Sequence, residues 1–297
     1  MTAIPTTLEN WQQGRATGMF FPLGAVVRFA LSGNDRVRYL NGQCSNDVRK
    51  LSPGSDAIQA CILSARGKLD AVVWIWAEPD RLVVECDAVV ADALAIRLEK
   101  YLVADDVTIE QLPDTGSEWH VIAGADQQLD RIAETPLRRI ARMGSPGVDV
   151  PRVPPGLIEA NDVMLTQLRI ENLVPAWGNE LHPDTLPAEA GLDKTAVDFH
   201  KGCYLGQEVV SRIESVGRAN RILRAFEVSA GPTPVAGDVF PHPAQPGKPG
   251  AEITSVAPHF GLSKTVGLCY IRRGVTAGET LISAGSSTRI TILHPSV

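Results

Sequence analysis

The sequence lacks the patterns that mark several common classes of protein. It holds five cysteines in 297 residues, at positions 44, 61, 86, 203 and 269, with no Cys-x-x-Cys pair among them. An odd number at wide spacing argues against a disulfide framework and leaves at most an isolated ligand for a metal cluster. Any cluster site would therefore be shared with a partner protein.

Motifs for nucleotide and zinc chemistry are also missing. No Gly-x-Gly-x-x-Gly opens a βαβ unit, no P-loop is present, and the six histidines are scattered without a His-Glu-x-x-His pair. The net charge of −6 argues against a large nucleic-acid surface, because binding to the phosphate backbone needs clustered lysine and arginine. We expect no direct nucleic-acid partner.

Long apolar runs are absent too. No apolar stretch approaches the ~18 residues of a membrane span, and the start of the chain lacks a basic segment followed by an apolar core. This pattern predicts no membrane partner and a cytoplasmic location. With 44% hydrophobic residues the chain can still bury sizeable cores, over roughly two domains.

What is present is an alternation of short strands with single amphipathic helices. Strand patterns cover residues 24–30, 57–63, 71–76 and 82–85, and a helix follows with one apolar face made of Val90, Leu94, Leu98 and Tyr101. This alternation predicts an α+β fold over residues 1–224. From residue 225 to 297, short strands separated by Gly and Pro predict a small C-terminal β-barrel.

Residues 201–208, Lys-Gly-Cys-Tyr-Leu-Gly-Gln-Glu, carry the strongest functional pattern, and we name them the thiol cassette. A helix is predicted to follow Cys203, so its dipole and Lys201 would both favour the thiolate. The glycines on either side would leave room for a ligand or partner. The alternative is that Cys203 is a small buried hydrophobe, which is the usual role of a lone cysteine.

A basic stretch begins at the thiol cassette. Between residues 200 and 224 the chain has two acidic side chains, Glu208 and Glu214, against five basic ones: Lys201, Arg212, Arg218, Arg221 and Arg224. In an acidic protein such a local excess would attract a small anionic ligand. The alternative is a solvated helix face followed by an ordinary strand.

The thiol cassette resembles the K-G-C-Y-x-G-Q-E signature of the YgfZ family. These proteins are folate-binding relatives of the glycine-cleavage T-protein, linked to iron–sulfur enzymes and tRNA modification. The resemblance covers nearly the whole chain. It also includes residues 33–48, the turn Gly67-Lys68, the segment Arg169-Ile170-Glu171 and residues 187–192.

This resemblance implies three subdomains around a central folate-sized cavity, with two interleaved in residues 1–224 and the barrel at the C-terminus. It implies a catalytic set of Cys203, Lys201 and Gln207. Glu171 would grip the pterin ring, because a carboxylate can accept two parallel N–H bonds from its aminopyrimidine edge. The implied ligand is tetrahydrofolate or another folate, bound by Glu171, Asp70, Tyr204, Lys201 and Arg221.

The expected function is support of iron–sulfur cluster assembly or repair through Cys203, with a transiently shared cluster and an iron–sulfur carrier or client protein as partner. Two alternatives stay open. One is a tetrahydrofolate-dependent aminomethyl or one-carbon transferase, although Asp70 stands alone where T-proteins carry paired aspartates. The other is a folate sensor without catalysis. A further departure is Leu173, which replaces the family's glycine and predicts a changed backbone near the ligand.

Overall fold

The computed structural model describes residues 7–22, 25–55, 57–113, 119–123, 158–215, 217, 219–261 and 263–294; for residues 20–22 and 119–123 it describes the backbone alone. Three short 3₁₀ helices lie at Val48–Lys50, Ala88–Val90 and Pro187–Glu189. The α-helices in these ranges are α1 (Leu8–Thr17), α2 (Arg36–Gln43), α3 (Ala91–Lys100), α4 (Asp162–Glu171) and α5 (Gln207–Ser215).

The strands, numbered along the chain, are mostly short. They are β1 (Gly18–Pro22), β2 (Val26–Ser32), β3 (Ile58–Leu63), β4 (Leu69–Ala77), β5 (Leu82–Asp87), β6 (Thr108–Gln111), β7 (Trp119–Ala123), β8 (Ile158–Glu159), β9 (Arg221–Ala230), β10 (Val239–Pro241), β11 (Pro249–His259), β12 (Lys264–Arg272), β13 (Thr280–Ile282) and β14 (Arg289–Ile292).

Contacts along the backbone divide the chain into two compact units. The first unit comprises residues 1–23, 115–180 and 220–297, and the second comprises 24–114 and 181–219. The division after residue 224 that the sequence suggests stays a prediction. Strand β9, the first in chain order of the C-terminal sheet, begins at Arg221.

The second unit is built on an antiparallel sheet in the order β3-β4-β5-β2-β6. Alternate residues of β4, from Leu69 through Ala71 and Val73 to Ile75, are buried, as the period of a strand with one covered face requires. On α3, Leu94 and Leu98 are fully buried. The strands and the amphipathic helix predicted for this region are confirmed.

The first unit contains a small sheet, β7-β1-β8, and a larger antiparallel sheet in the order β10-β11-β12-β9-β14-β13. The two edge strands of the larger sheet, β10 and β13, contact each other, so this sheet is nearly closed into a barrel. The expectation of a mixed α+β fold with a C-terminal barrel is confirmed.

The barrel sheet has two apolar faces. The interior face gathers Phe226, Phe240, Ile253, Cys269 and Ile290 in one buried cluster. On the outer face, Ile170 of α4 packs against a second cluster made of Leu223, Ala257, Val266, Leu268 and Tyr270. Helix α4 is therefore fixed on the outside of the barrel, and its last residue, Glu171, is positioned by that packing.

Membrane crossing can be judged from helix length. No helix in the described part of the chain is long and apolar enough to span a bilayer.

Candidate functional site

The thiol cassette is anchored in the second unit by Lys201. This side chain is 6% exposed, and its ammonium donates to the carbonyls of Asn41 at 2.7 Å, Cys44 at 2.7 Å and Asn46 at 2.9 Å. An ammonium has three N–H groups, so all of them are used. Burial lowers the pKa of Lys201. The carbonyl contacts therefore join the thiol cassette to residues 41–46.

The sequence predicts two roles for Lys201, which are to bind folate and to favour the thiolate of Cys203. A folate carboxylate or a thiolate at Cys203 would need an N–H that the three carbonyls already occupy. The geometry therefore does not support Lys201 as a ligand of folate or as a direct partner of the Cys203 sulfur. It supports a positioning role, in which the lysine sets the path of the chain on either side of Cys203.

A second anchor is the close approach of the thiol cassette to the turn at residues 64–67. Gly206 has φ +84°, and a Cβ there would lie 2.6 Å from the Ser64 carbonyl oxygen. Gly67 has φ +71°, and its Cβ would lie 2.7 Å from that of Val209. Only glycine meets both demands at these two positions. The Leu205 N–H adds a bond of 3.2 Å to the Gly42 carbonyl.

Three segments that are distant in sequence therefore meet: residues 41–46, the turn 64–67 and the thiol cassette. Residues 41–46 and the thiol cassette lie within stretches on which the YgfZ resemblance depends, and the turn contains Gly67 of its Gly-Lys pair. At their meeting point Cys203 is exposed, whereas Cys44, Cys61, Cys86 and Cys269 are buried. The buried-hydrophobe alternative thus describes the other four cysteines and not Cys203.

Burial also separates the cysteines chemically. It raises the pKa of Cys61, Cys86 and Cys269 to about 12, and it raises the pKa of Cys44 as well. Such thiols stay protonated near neutral pH and cannot meet a partner protein. Cys203 is thus the cysteine that a partner can reach.

The residues next to Cys203 stabilise the conformation of the thiol cassette. Tyr204 is 8% exposed, burial raises its pKa, and the Lys201 ammonium lies 5.1 Å from its ring centroid. The Gln207 side-chain oxygen accepts the Tyr204 N–H at 3.3 Å, at the start of α5. The helix thus begins four residues after Cys203. The roles expected for Tyr204 in folate binding and Gln207 in catalysis stay predictions.

Asp47, close to Lys201, forms an ion pair that should stabilise the folded protein at neutral pH and be lost in acid. Its carboxylate accepts two bonds of 2.8 Å from the Arg49 guanidinium. These bonds, more than any other contact, lower the pKa of Asp47 from 3.8 to about 2. Because the folded-state pKa is the lower one, this stabilisation of about 2 kcal/mol is present above about pH 4 and disappears as the pH falls to about 2.

The variant Asp47→Asn tests this pH dependence. Urea denaturation should show the variant less stable than wild type at pH 7, with the difference shrinking between about pH 4 and pH 2 as the wild-type carboxylate takes up its proton. A difference in unfolding free energy that stays constant over that range would contradict the assignment.

Asp70, at the start of β4, is held by Arg97 of α3. The Arg97 Nε lies 3.2 Å from the Asp70 carboxylate, and the same guanidinium donates to Gln43 at 2.9 Å and to the Leu63 carbonyl at 3.1 Å. Asp70 is 29% exposed in its side chain, and burial raises its pKa. Its expected contact with folate stays a prediction.

The sequence analysis did not identify Arg97 and Gln43 as parts of the contacts around Asp70. A pattern could have identified Arg97, because it falls between Leu94, Leu98 and Tyr101 on the apolar face of α3, where a charged residue needs a partner. The guanidinium carbon lies 4.2 Å from the Tyr101 ring centroid, which adds a cation–π contact.

Glu171, the last residue of α4, belongs to the first unit. Its carboxylate accepts from Gln167 at 2.6 Å and from Arg15 at 3.1 Å, and His259 Nε2 lies 3.7 Å away. The side chain is 25% exposed. A carboxylate has about four acceptor positions, so these contacts leave capacity for a further donor. Two buried ring nitrogens of the first unit, His259 Nδ1 and Trp177 Nε1, have no hydrogen-bond partner among the residues that the structure describes.

The chain after Glu171 turns in the conformation that glycine favours. Leu173 has φ +54°, its N–H donates to the Ile170 carbonyl, and the next N–H, of Val174, donates to the Arg169 carbonyl. These two bonds form a Schellman motif at the end of α4. Leu173 thus adopts the left-handed backbone where the family pattern has glycine, and its side chain packs against the outer cluster of the barrel sheet.

Arg169, the other charged residue of the Arg-Ile-Glu segment, pairs with Glu180 and not with Glu171. The Arg169–Glu180 distance is 2.8 Å, and Glu180 is completely buried. The Ser255 hydroxyl donates to Glu180 at 2.5 Å, and the Ala176 N–H does so at 2.9 Å. Sequence reasoning did not identify this buried pair, which joins α4 to β11.

The basic stretch of residues 200–224 is divided between the two units. Arg212 lies on α5 of the second unit, Arg221 and Arg224 lie on β9 of the first, and Arg218 falls outside the described residues. The Arg221 guanidinium carbon is 4.3 Å from the Tyr270 ring centroid. The expected role of Arg221 in folate binding stays a prediction.

Within the described ranges, no group of three or more His, Cys, Asp or Glu side chains is placed to hold a metal ion.

Comparison with known proteins shows what the chain is similar to in sequence. No family model matches it. The "Iron-sulfur cluster assembly factor IBA57 homolog, mitochondrial" of Phaeosphaeria nodorum is 27% identical over 300 residues, which cover 88% of this chain and 70% of that protein. The "tRNA-modifying protein YgfZ" of Vibrio atlanticus is 27% identical over 216 residues, covering 65% of this chain and 64% of that protein.

A solved structure shares the fold of this chain. The glycine cleavage system aminomethyltransferase T from Bartonella henselae aligns with a TM-score of 0.76 at 16% identity, covering 97% of this chain and 88% of that one. At this identity the likeness concerns the fold alone. The two relatives and the shared fold confirm the resemblance of this chain to the YgfZ/IBA57 family of T-protein-like proteins.

Proposed function

We propose that this protein binds a folate and supports the assembly or repair of iron–sulfur clusters, and thereby of iron–sulfur enzymes that modify tRNA. The observation that carries the proposal is the exposure of Cys203 on an anchored loop, while the other four cysteines are buried. The names of the relatives, an iron–sulfur cluster assembly factor and a tRNA-modifying protein, support it. The cytoplasmic location expected from the sequence stays part of the proposal, although the fungal relative is named as mitochondrial.

The proposed step at Cys203 is a ligand exchange on a cluster that arrives as cargo. The thiol loses its proton to solvent, its sulfur forms a bond to iron, and the thiolate of the donor protein leaves that iron and takes up a proton. No electron is transferred overall. The remaining ligands come from the partner, since no other suitable cluster of side chains exists among the described residues.

The residues around Glu171 fit a folate. The carboxylate retains acceptor capacity, and its Arg15 partner is 52% exposed and can move aside. The neighbouring His259 has a buried Nδ1 atom with no hydrogen-bond partner in the described part of the chain. Glu171 would hold the aminopyrimidine edge of the pterin through charge-assisted bonds. A bound folate would supply one-carbon chemistry; the protein's part is to orient the ring.

Folate binding is tested by the variant Glu171→Gln. Loss of the charge-assisted bonds should weaken tetrahydrofolate binding by about tenfold to a hundredfold in a calorimetric titration. Asp162→Asn, an exposed acid at the other end of α4, is the matched control and should bind as wild type does. Equal affinities for wild type and Glu171→Gln would refute the assignment of Glu171.

The T-protein fold favours one second candidate, a tetrahydrofolate-dependent aminomethyltransferase. The two functions differ in their need for Cys203. Turnover of tetrahydrofolate with an aminomethyl donor on a lipoyl carrier, undiminished in Cys203→Ala, would favour the transferase.

A further inference from the structure

Arg224 occupies an unusual place in the barrel of the first unit. In the sheet register it lies directly opposite Cys269, which belongs to the interior cluster. Residues directly opposite on paired strands share a face, and alternate residues of a strand do the same. The neighbours Ile222 and Phe226 also belong to this interior cluster. Arg224 thus lies on the inner face of the barrel.

The guanidinium of Arg224 has few contacts among the described residues. Its one hydrogen bond is to the carbonyl of the preceding residue, Leu223, at 2.9 Å, and no carboxylate contacts it within the described chain. The side chain is partly buried, and burial lowers its pKa. Three arginines whose side chains are 12% exposed or less each have an acid: Arg28 with Glu85 at 2.9 Å, Arg97 with Asp70 at 3.2 Å and Arg169 with Glu180 at 2.8 Å.

A second basic side chain adjoins this position. The Leu293 N–H donates to the Ala225 carbonyl at 2.8 Å, which continues the β9–β14 register beyond Ile292. His294 therefore falls across from Arg224, two residues beyond the end of β14, and is exposed. Arg224 and His294 together offer hydrogen-bond donors at the rim of an otherwise apolar barrel interior.

We propose that Arg224 is the centre of a binding site for a small oxyanion, a carboxylate or phosphate group, at the rim of the C-terminal barrel with His294 beside it. A guanidinium presents its N–H groups in a planar fork that matches either group. An unpaired cation removed from water destabilises the empty protein, and an anion would offset that cost. This site differs from the proposed folate site, because α4 and Glu171 lie on the outer side of the same sheet.

Thermal unfolding of the full chain tests the site, with sodium phosphate or sodium succinate added and sodium chloride at equal ionic strength as reference. Phosphate or succinate should raise the Tm of wild type above the chloride value. The variant Arg224→Leu should lose that increase, and without anions its Tm should equal or exceed that of wild type, because an unpaired charge has been replaced by an apolar side chain. The anion that acts at the lower concentration identifies the group.

Arg289→Leu is the matched control, because Arg289 is exposed on β14 of the same sheet. It should keep the full increase in Tm. The proposal is overturned if wild type shows no increase with either anion, if Arg224→Leu keeps the increase, or if Arg224→Leu is much less stable than wild type without anions. Folate affinity should be unchanged in Arg224→Leu; its loss would place Arg224 in the folate site instead.

Discussion

Lys201→Met should destabilise the protein by about 3–5 kcal/mol, the cost typical of removing one partner from a buried charged contact. The ammonium is buried and holds three carbonyls of residues 41–46 at 2.7 to 2.9 Å. Methionine fills a similar volume and cannot donate, so the buried carbonyls of Asn41 and Cys44 would lose this donor, and the partly buried carbonyl of Asn46 would keep only the Cys44 thiol. Urea denaturation followed by tryptophan fluorescence measures the change.

Lys50→Met is the matched control for this prediction. Lys50 makes an ion pair of 2.5 Å with Asp198 in the same unit, but its side chain is 66% exposed, so its loss should cost less than about 1 kcal/mol. Lys201→Arg should fail to restore stability, because a planar guanidinium does not place three donors around one point. Similar unfolding midpoints for Lys201→Met and Lys50→Met would contradict the anchoring role.

Glu180→Ala should have an effect of similar size in the first unit. Glu180 is completely buried between Arg169 at 2.8 Å and the Ser255 hydroxyl at 2.5 Å. Without its carboxylate the Arg169 charge stays buried and unpaired, at a cost of about 3–5 kcal/mol. The milder Glu180→Gln keeps the shape and one acceptor, so it should lie between Glu180→Ala and wild type.

The control for Glu180 is Glu227→Ala, which breaks a more exposed pair with Lys264 at 2.9 Å and should cost less than about 1 kcal/mol. Unfolding free energies from urea denaturation rank the variants. If Glu180→Ala were as stable as Glu227→Ala, the Arg169–Glu180 pair would not join α4 to the barrel.

Local patterns in the sequence predicted much of the fold. The alternation along β4 and the apolar face of α3 predict a buried strand and a packed helix, because both patterns follow from side-chain direction within one element. The short strands after residue 225 likewise predict the barrel-like sheet. The thiol cassette could be located in the same way, because its residue types are contiguous.

The contacts that build the site could not be predicted in this way. Lys201 reaches a carbonyl 160 positions earlier in the chain, and Glu180 meets Ser255 across 75 positions. Such bonds depend on how the elements pack, and no period in the sequence encodes them. The same reason explains why the sequence predicts Lys201 to be a folate ligand. Its positive charge can be read from the sequence, whereas its three carbonyl partners cannot.

The central claim is that Cys203 performs the work of the protein on iron–sulfur clusters, and complementation tests it most directly. In cells lacking their own YgfZ or IBA57 relative, the activity of an iron–sulfur enzyme is measured with wild type, Cys203→Ala or Cys86→Ala supplied. Cys86 is a buried thiol and controls for the loss of a cysteine. We predict that wild type and Cys86→Ala restore the activity and that Cys203→Ala, folded and able to bind folate, does not. Restoration by Cys203→Ala to the wild-type level would contradict the claim.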